Sequence, residues 1–92
     1  MPELSRFFGI VIRLHYADHN PPHFHATYKG RMVEVDIRTL GIIEGGIATR
    51  ALGLVMEWAA EHRVELVEDW RRASSGEPIV RIAPSRRMAP RC

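Results

Sequence analysis

The sequence predicts an α+β fold in which a three-stranded antiparallel β-meander packs against one long C-terminal helix. Two patterns predict it. Up to residue 37 the chain alternates apolar and polar side chains with the period of half-buried strands. Residues 47–73 repeat apolar side chains at helical spacing. The 92 residues, 46% of them hydrophobic, suffice for one small core, so we expect a single domain over 1–83 and a basic flexible tail over 84–92.

The first predicted strand covers residues 6–16. One of its faces is apolar, with Phe8, Ile10, Ile12, Leu14 and Tyr16. The other face becomes polar toward Arg13 and His15. A loop is expected over 17–22, because Pro21-Pro22 cannot donate hydrogen bonds to a neighbouring strand.

The next two strands, residues 23–29 and 32–37, are predicted to form a hairpin. The apolar residues are even-numbered in the first of these strands and odd-numbered in the second. To place apolar residues opposite each other across the hairpin, the numbers of two paired residues must therefore sum to an odd value. A two-residue turn at Lys29-Gly30 fixes that sum at 59, which places His25 opposite Glu34 and His23 opposite Asp36.

The second half of the chain is predicted to be mostly helical. A helix over 47–73 would be about 40 Å long, so we expect a kink or break near residues 62–64. Ile42-Ile43 and Ile79–Ile82 are candidates for a short fourth strand.

Charge and cysteine content exclude several classes of protein. A formal net charge of +2 argues against a general nucleic-acid coat. The single Cys92 excludes an intrachain disulfide, which fits a cytoplasmic location. The sequence shows neither a secretory signal nor an apolar run of membrane-spanning length, so no membrane partner is expected.

One face of the predicted sheet gathers chemistry-bearing residues, and three interpretations of it stay open. The gathered residues are Arg13, His15, His23, His25, Glu34 and Asp36. The first interpretation is a solvated sheet face with weak cross-strand pairs. The second is a metal site for zinc or another transition metal, with His15, His23 and His25 as its candidate ligands and Glu34 or Asp36 as alternatives.

The third interpretation is a cofactor-free RNA site. A histidine paired with a carboxylate can act as general acid or base on a 2′-hydroxyl, which makes His23 or His25 catalytic with Glu34 and Asp36 as tuning carboxylates. The predicted substrate-binding residues, mainly for phosphate, are Arg13, His15, Lys29 and Arg31.

Three segments of the chain resemble a bacterial family of uncharacterised small proteins: residues 1–12, 19–26 and 51–59. The resemblance runs from residue 2 to about 83, and the Pro-Pro-His-Phe-His core at 21–25 is its specific part. Members of that family are usually encoded beside a second small protein and are often classed with toxin–antitoxin-like modules. The resemblance therefore implies an adjacently encoded protein partner.

The predicted order of strands, loop and helix is also similar to the HicA-type toxins. Those proteins have a fold like double-stranded-RNA-binding domains and need a strand histidine to cut mRNA. The matching positions here are His23 or His25, with Gly45-Gly46 before the helix. The chain departs from HicA-type proteins in beginning with a strand and in its double proline.

The sequence-level hypothesis is a toxin–antitoxin-type component that acts on RNA, a metal-independent endoribonuclease. The alternative is a non-catalytic module, either a His-based metal-binding domain or the binding partner of the adjacently encoded protein. An exposed edge of the sheet would also allow a homodimer through strand pairing.

Overall fold

The computed structural model describes residues 2–14 and 21–84. It contains one five-stranded antiparallel sheet in the order β1-β2-β3-β4-β5 and two helices. The elements are β1 Glu3–Phe7, β2 Ile10–Leu14, β3 His23–Tyr28, β4 Arg31–Asp36, β5 Ile42–Gly45, α1 Thr49–Glu61 and α2 Arg63–Ser74. The α+β class is confirmed. The prediction of three strands and one long helix understates the fold, which has five strands and two helices in the described part of the chain.

The predicted first strand is wrong, because residues 3–14 form a hairpin. β1 and β2 meet at a two-residue turn, Phe8-Gly9, in which both residues have positive φ (49° and 77°). Such a turn matches the twist of the flanking strands but normally selects Asn-Gly. A phenylalanine carries no such signal, so the turn was hidden inside a continuous alternation.

The strain at Phe8 leads to a first testable prediction. Its side chain is 63% exposed and its backbone is left-handed, a conformation that asparagine adopts far more readily. We expect Phe8→Asn to raise the free energy of unfolding by about 0.5–1 kcal/mol in urea denaturation. A loss of stability would instead show that the exposed ring contributes packing that outweighs the strain.

The register of the β3–β4 hairpin is confirmed as predicted. Phe24 pairs with Val35 and His25 with Glu34, around a Lys29-Gly30 turn with φ of 48° and 79°. The candidate strand at Ile42-Ile43 is also confirmed, as part of β5 beside β4. The second candidate is wrong: residues 79–82 form no strand, although Ile82 N–H donates to the Leu4 carbonyl at the edge of β1.

The helical region divides at His62, within the predicted break. α1 covers the apolar face of the sheet, where Trp58 contacts Phe7 and Phe24 with ring centroids 5.7 and 5.8 Å apart. On α2, after this break, the ring of Trp70 lies 5.4 Å from that of His23. The fully buried core contains Leu4, Ile10, Ile12, Leu14, Phe24, Ala26, Val33, Val35, Ile37, Val55, Trp58, Ala59 and Leu66.

The segment after α2 is bound to the sheet and to both helices by hydrogen bonds and ion pairs. The buried carboxylate of Asp69 accepts hydrogen bonds from Val80 N–H and the Arg72 guanidinium. Glu3 binds Arg6 and Arg81, and these two guanidinium groups lower the pKa of Glu3 to about 2.

The basic tail was predicted for residues 84–92, of which 85–92 lie outside the described part of the chain. No helix in that part is long and apolar enough to cross a membrane.

Candidate functional site

The candidate site lies on the polar face of β3 and β4, at the end nearest the β2–β3 connection. His23 and His25 are two residues apart on β3, so both side chains point to the same face. Their rings lie side by side, with centroids 5.5 Å apart and planes inclined by 32°. Both residues are buried, 4% and 8% exposed, so the interpretation as an open solvated face does not describe the histidines.

His23 is held by the backbone just before its own strand. Its Nδ1 lies 2.8 Å from the carbonyl oxygen of Pro21. Because a carbonyl only accepts, Nδ1 carries the proton, and Nε2 carries the lone pair of the neutral ring. The residue before β3 thus fixes the orientation of the first imidazole of the site.

His25 is paired with the carboxylate that the hairpin register predicts. Its Nε2 lies 3.0 Å from Glu34 Oε1, and the side chains are 9% and 21% exposed. One ligand atom from each of His23, His25 and Glu34 can be chosen so that all three lie within 4.8 Å of one another. This trio is a candidate metal-binding group.

The remaining predicted site residues are placed differently. Asp36 pairs with His23 in the sheet register, but its carboxylate accepts the backbone N–H groups of Arg38 and Thr39 at 2.7 and 3.2 Å. It therefore shapes the turn after β4 rather than orienting an imidazole. His15 was predicted to bind substrate or metal and lies outside the described residues.

Of the three predicted phosphate-binding residues that the structure describes, one lies beside the histidines and two do not. Arg13 does lie beside His25, as its partner on β2. Lys29 lies in the turn four residues along the chain from His25, about 13 Å away at strand spacing. Arg31 follows that turn and falls on the opposite face of β4 from Glu34, because their separation is odd.

The site belongs to a polar row that crosses the whole sheet. Register partners on successive strands are, in order, Glu3, Arg13, His25, Glu34 and Glu44. Directly paired residues of antiparallel strands share a face, so Arg13 stands on one side of His25 and two carboxylates stand on the other. Beginning at the anion Glu3, the row thus passes through a cation and an imidazole to two paired anions.

Sequence reasoning missed two members of this neighbourhood. Trp70 falls at helical spacing and packs, partly buried, against the core, but its ring also lies against that of His23. Glu44 belongs to β5, and its position opposite Glu34 depends on a register shift between Glu34 and Val35. A bulge of this kind leaves no alternation signal, so only the proximity of Glu44 to Ile42-Ile43 pointed toward it.

A cavity lies away from the histidines, at the turn end of the hairpins. It measures about 390 Å³ and lies between the β1–β2 turn and α1. Its lining combines apolar and charged side chains, namely Phe8, Ile10, Tyr28, Ala48, Arg50, Ala51, Leu54 and Glu57. None of the predicted site residues lines it.

Comparisons with known proteins identify a family and no activity. No curated protein and no solved structure matches the chain. A family profile described as a domain of unknown function, DUF4160, matches residues 9–71, which include β2 to β5, α1 and most of α2. The match covers more than half of the 92 residues and includes all three members of the candidate metal-binding group. The chain therefore belongs to the DUF4160 family.

Proposed function

We propose that this protein is a metal-binding domain in which His23, His25 and Glu34 hold one divalent transition metal ion, with zinc as the reference ion. The observation that supports it best is the approach of their three ligand atoms to within 4.8 Å of one another. Two imidazoles and one carboxylate form a typical ligand set for zinc and for non-haem iron.

The hydrogen bond of His23 fits a metal ligand. Metal-binding histidines usually donate their second ring N–H to a carboxylate or a backbone carbonyl, which fixes the tautomer and the ring orientation. The bond from Nδ1 to the Pro21 carbonyl is of this kind and fixes the orientation of the His23 ring. A solvated strand histidine needs no such support.

The contact between His25 and Glu34 also suits an ion. Bond lengths of about 2.0–2.1 Å in a tetrahedral zinc site place neighbouring ligand atoms about 3.3 Å apart. The 3.0 Å between His25 Nε2 and Glu34 Oε1 is close to that value. An ion between these two atoms would take the place of their shared proton, which a neutral imidazole can carry on Nδ1 instead. Because protons compete with the metal for the ligand atoms, binding is tighter at pH 8 than at pH 6.

The test is metal binding by the purified protein and its variants. We expect elemental analysis to find one zinc ion per chain. We also expect the free energy of unfolding to rise by about 2.7 kcal/mol when the free zinc concentration is 100 times the Kd. His23→Ala and His25→Ala should each weaken zinc binding by at least about 100-fold in calorimetric titrations.

His62→Gln is the matched control, because it also removes one histidine. Glu61 and Glu65 approach opposite ring nitrogens of His62, so one ion cannot bind all three side chains. We expect this variant to bind zinc like the wild type. Wild-type protein that binds no zinc, iron or manganese, or a loss equal in all three histidine variants, would overturn the proposal.

RNA cleavage is the second candidate, and the His25–Glu34 pair is the observation that favours it. An imidazole oriented by a carboxylate can remove the proton from a 2′-hydroxyl. The burial of both histidines and the distance of Lys29 and Arg31 weigh against it, because RNA must reach the imidazole and its phosphate must be held. Incubation of chelator-treated protein with RNA separates the candidates: cleavage lost in His25→Ala would favour the ribonuclease, and intact RNA would remove it.

A further inference from the structure

The edge strand β5 presents a carboxylate to the candidate metal site. Glu44 is the register partner of Glu34 on β4, and Glu34 is in turn the partner of His25 on β3. Directly opposed residues of antiparallel strands have Cβ atoms about 4.5–5.5 Å apart and point to the same face. Glu44 is exposed, as is every residue of β5, so its side chain can change rotamer without disturbing the core.

Two carboxylates opposite each other oppose the pairing of β4 and β5. Like charges at directly paired positions are destabilising. The register nevertheless persists, because the end of β5 is anchored by its backbone: Gly46 N–H donates to the Met32 carbonyl, and Gly45 has a φ of 75° that brings it close to β4. The backbone therefore keeps Glu34 and Glu44 at directly opposed positions beside His25 despite their like charges.

A cation bound between the two carboxylates would replace their mutual repulsion with attraction to the ion. Arg13, the cation of the row, is separated from the two carboxylates by His25. The most favourable position for a cation above the row is therefore near Glu34 and Glu44, adjoining the imidazoles of His23 and His25.

We propose that Glu44 is the fourth protein ligand of the metal ion, supplied by the edge strand and completing a site of two histidines and two glutamates. This inference rests on the proposed metal-binding function. Glu44 lies outside the trio of atoms within 4.8 Å, so binding requires its exposed side chain to rotate toward Glu34. Two carboxylates neutralise the charge of a divalent ion. Two imidazole nitrogens favour zinc or ferrous iron over calcium or magnesium.

The test compares Glu44→Gln with wild type and with Glu57→Gln. The control removes the same charge from α1, outside the polar row. Each protein is titrated with zinc chloride and melted with and without zinc. We expect Glu44→Gln to weaken zinc binding by about 10–100-fold. We also expect it to raise the Tm of the metal-free protein by about 2–5 °C, because the repulsion from Glu34 is removed.

The opposite signs of these two effects distinguish a ligand from a structural residue. Glu57→Gln should bind zinc like the wild type. Equal zinc affinity in wild type and Glu44→Gln, while His25→Ala loses binding, would overturn the role of Glu44 and leave the three-residue site standing. Wild-type protein that binds no metal would overturn both proposals.

Discussion

Replacing Trp58 with alanine is expected to lower the free energy of unfolding by about 3–5 kcal/mol, a large fraction of the roughly 5–15 kcal/mol by which native domains are stable. Trp58 is the largest fully buried side chain and joins three parts of the fold. Its ring contacts Phe7 on β1 and Phe24 on β3, and its Nε1–H donates to the Ala83 carbonyl at 2.9 Å. Urea denaturation followed by circular dichroism measures the loss.

A phenylalanine at position 58 separates packing from the hydrogen bond. Trp58→Phe keeps an aromatic ring between Phe7 and Phe24 but leaves the Ala83 carbonyl without its donor, so we expect a loss of about 1–3 kcal/mol. A loss below about 1 kcal/mol for Trp58→Ala would contradict the position of this side chain at the centre of the core.

The β3–β4 hairpin could be predicted in detail because two independent constraints agree. The inverted parity of the apolar residues excludes half of all registers, and a two-residue turn at Lys29-Gly30 selects one of the others. The position of His25 opposite Glu34 follows from these constraints alone. This is why the central pair of the candidate site was accessible from sequence.

The rest of the site depends on features without a periodic signal. The turn at Phe8 could not be predicted, because this apolar residue continues the alternation of a longer strand although its backbone has a positive φ. Trp70 meets His23 from a helix that begins after the break at His62, and helical periodicity does not fix the angle of such a break. Glu44 depends on a bulge in the neighbouring strand. In each case tertiary geometry, rather than local preference, decides which side chains meet.

Gly45→Ala is expected to destabilise the protein by about 2–4 kcal/mol, whereas Gly46→Ala should stay within about 0.5 kcal/mol of wild type. A Cβ at position 45 would lie 2.3 Å from the Met32 carbonyl oxygen, and φ there is 75°. The contacted atom is backbone, so β5 itself must move. A Cβ at position 46 meets nothing within 4 Å, which makes this neighbouring glycine a matched control.

The same pair of variants tests whether β5 positions Glu44 for the metal. A displaced β5 carries Glu44 away from Glu34, while His23, His25 and Glu34 remain on β3 and β4. We therefore expect folded Gly45→Ala to bind zinc about as weakly as Glu44→Gln, and Gly46→Ala to bind it like the wild type. Calorimetric titration at a temperature where circular dichroism shows each variant folded gives the comparison. Equal stability of the two glycine variants would contradict the close approach of β5 to Met32. Equal zinc affinity despite a destabilised Gly45→Ala would mean that the metal is held by β3 and β4 alone.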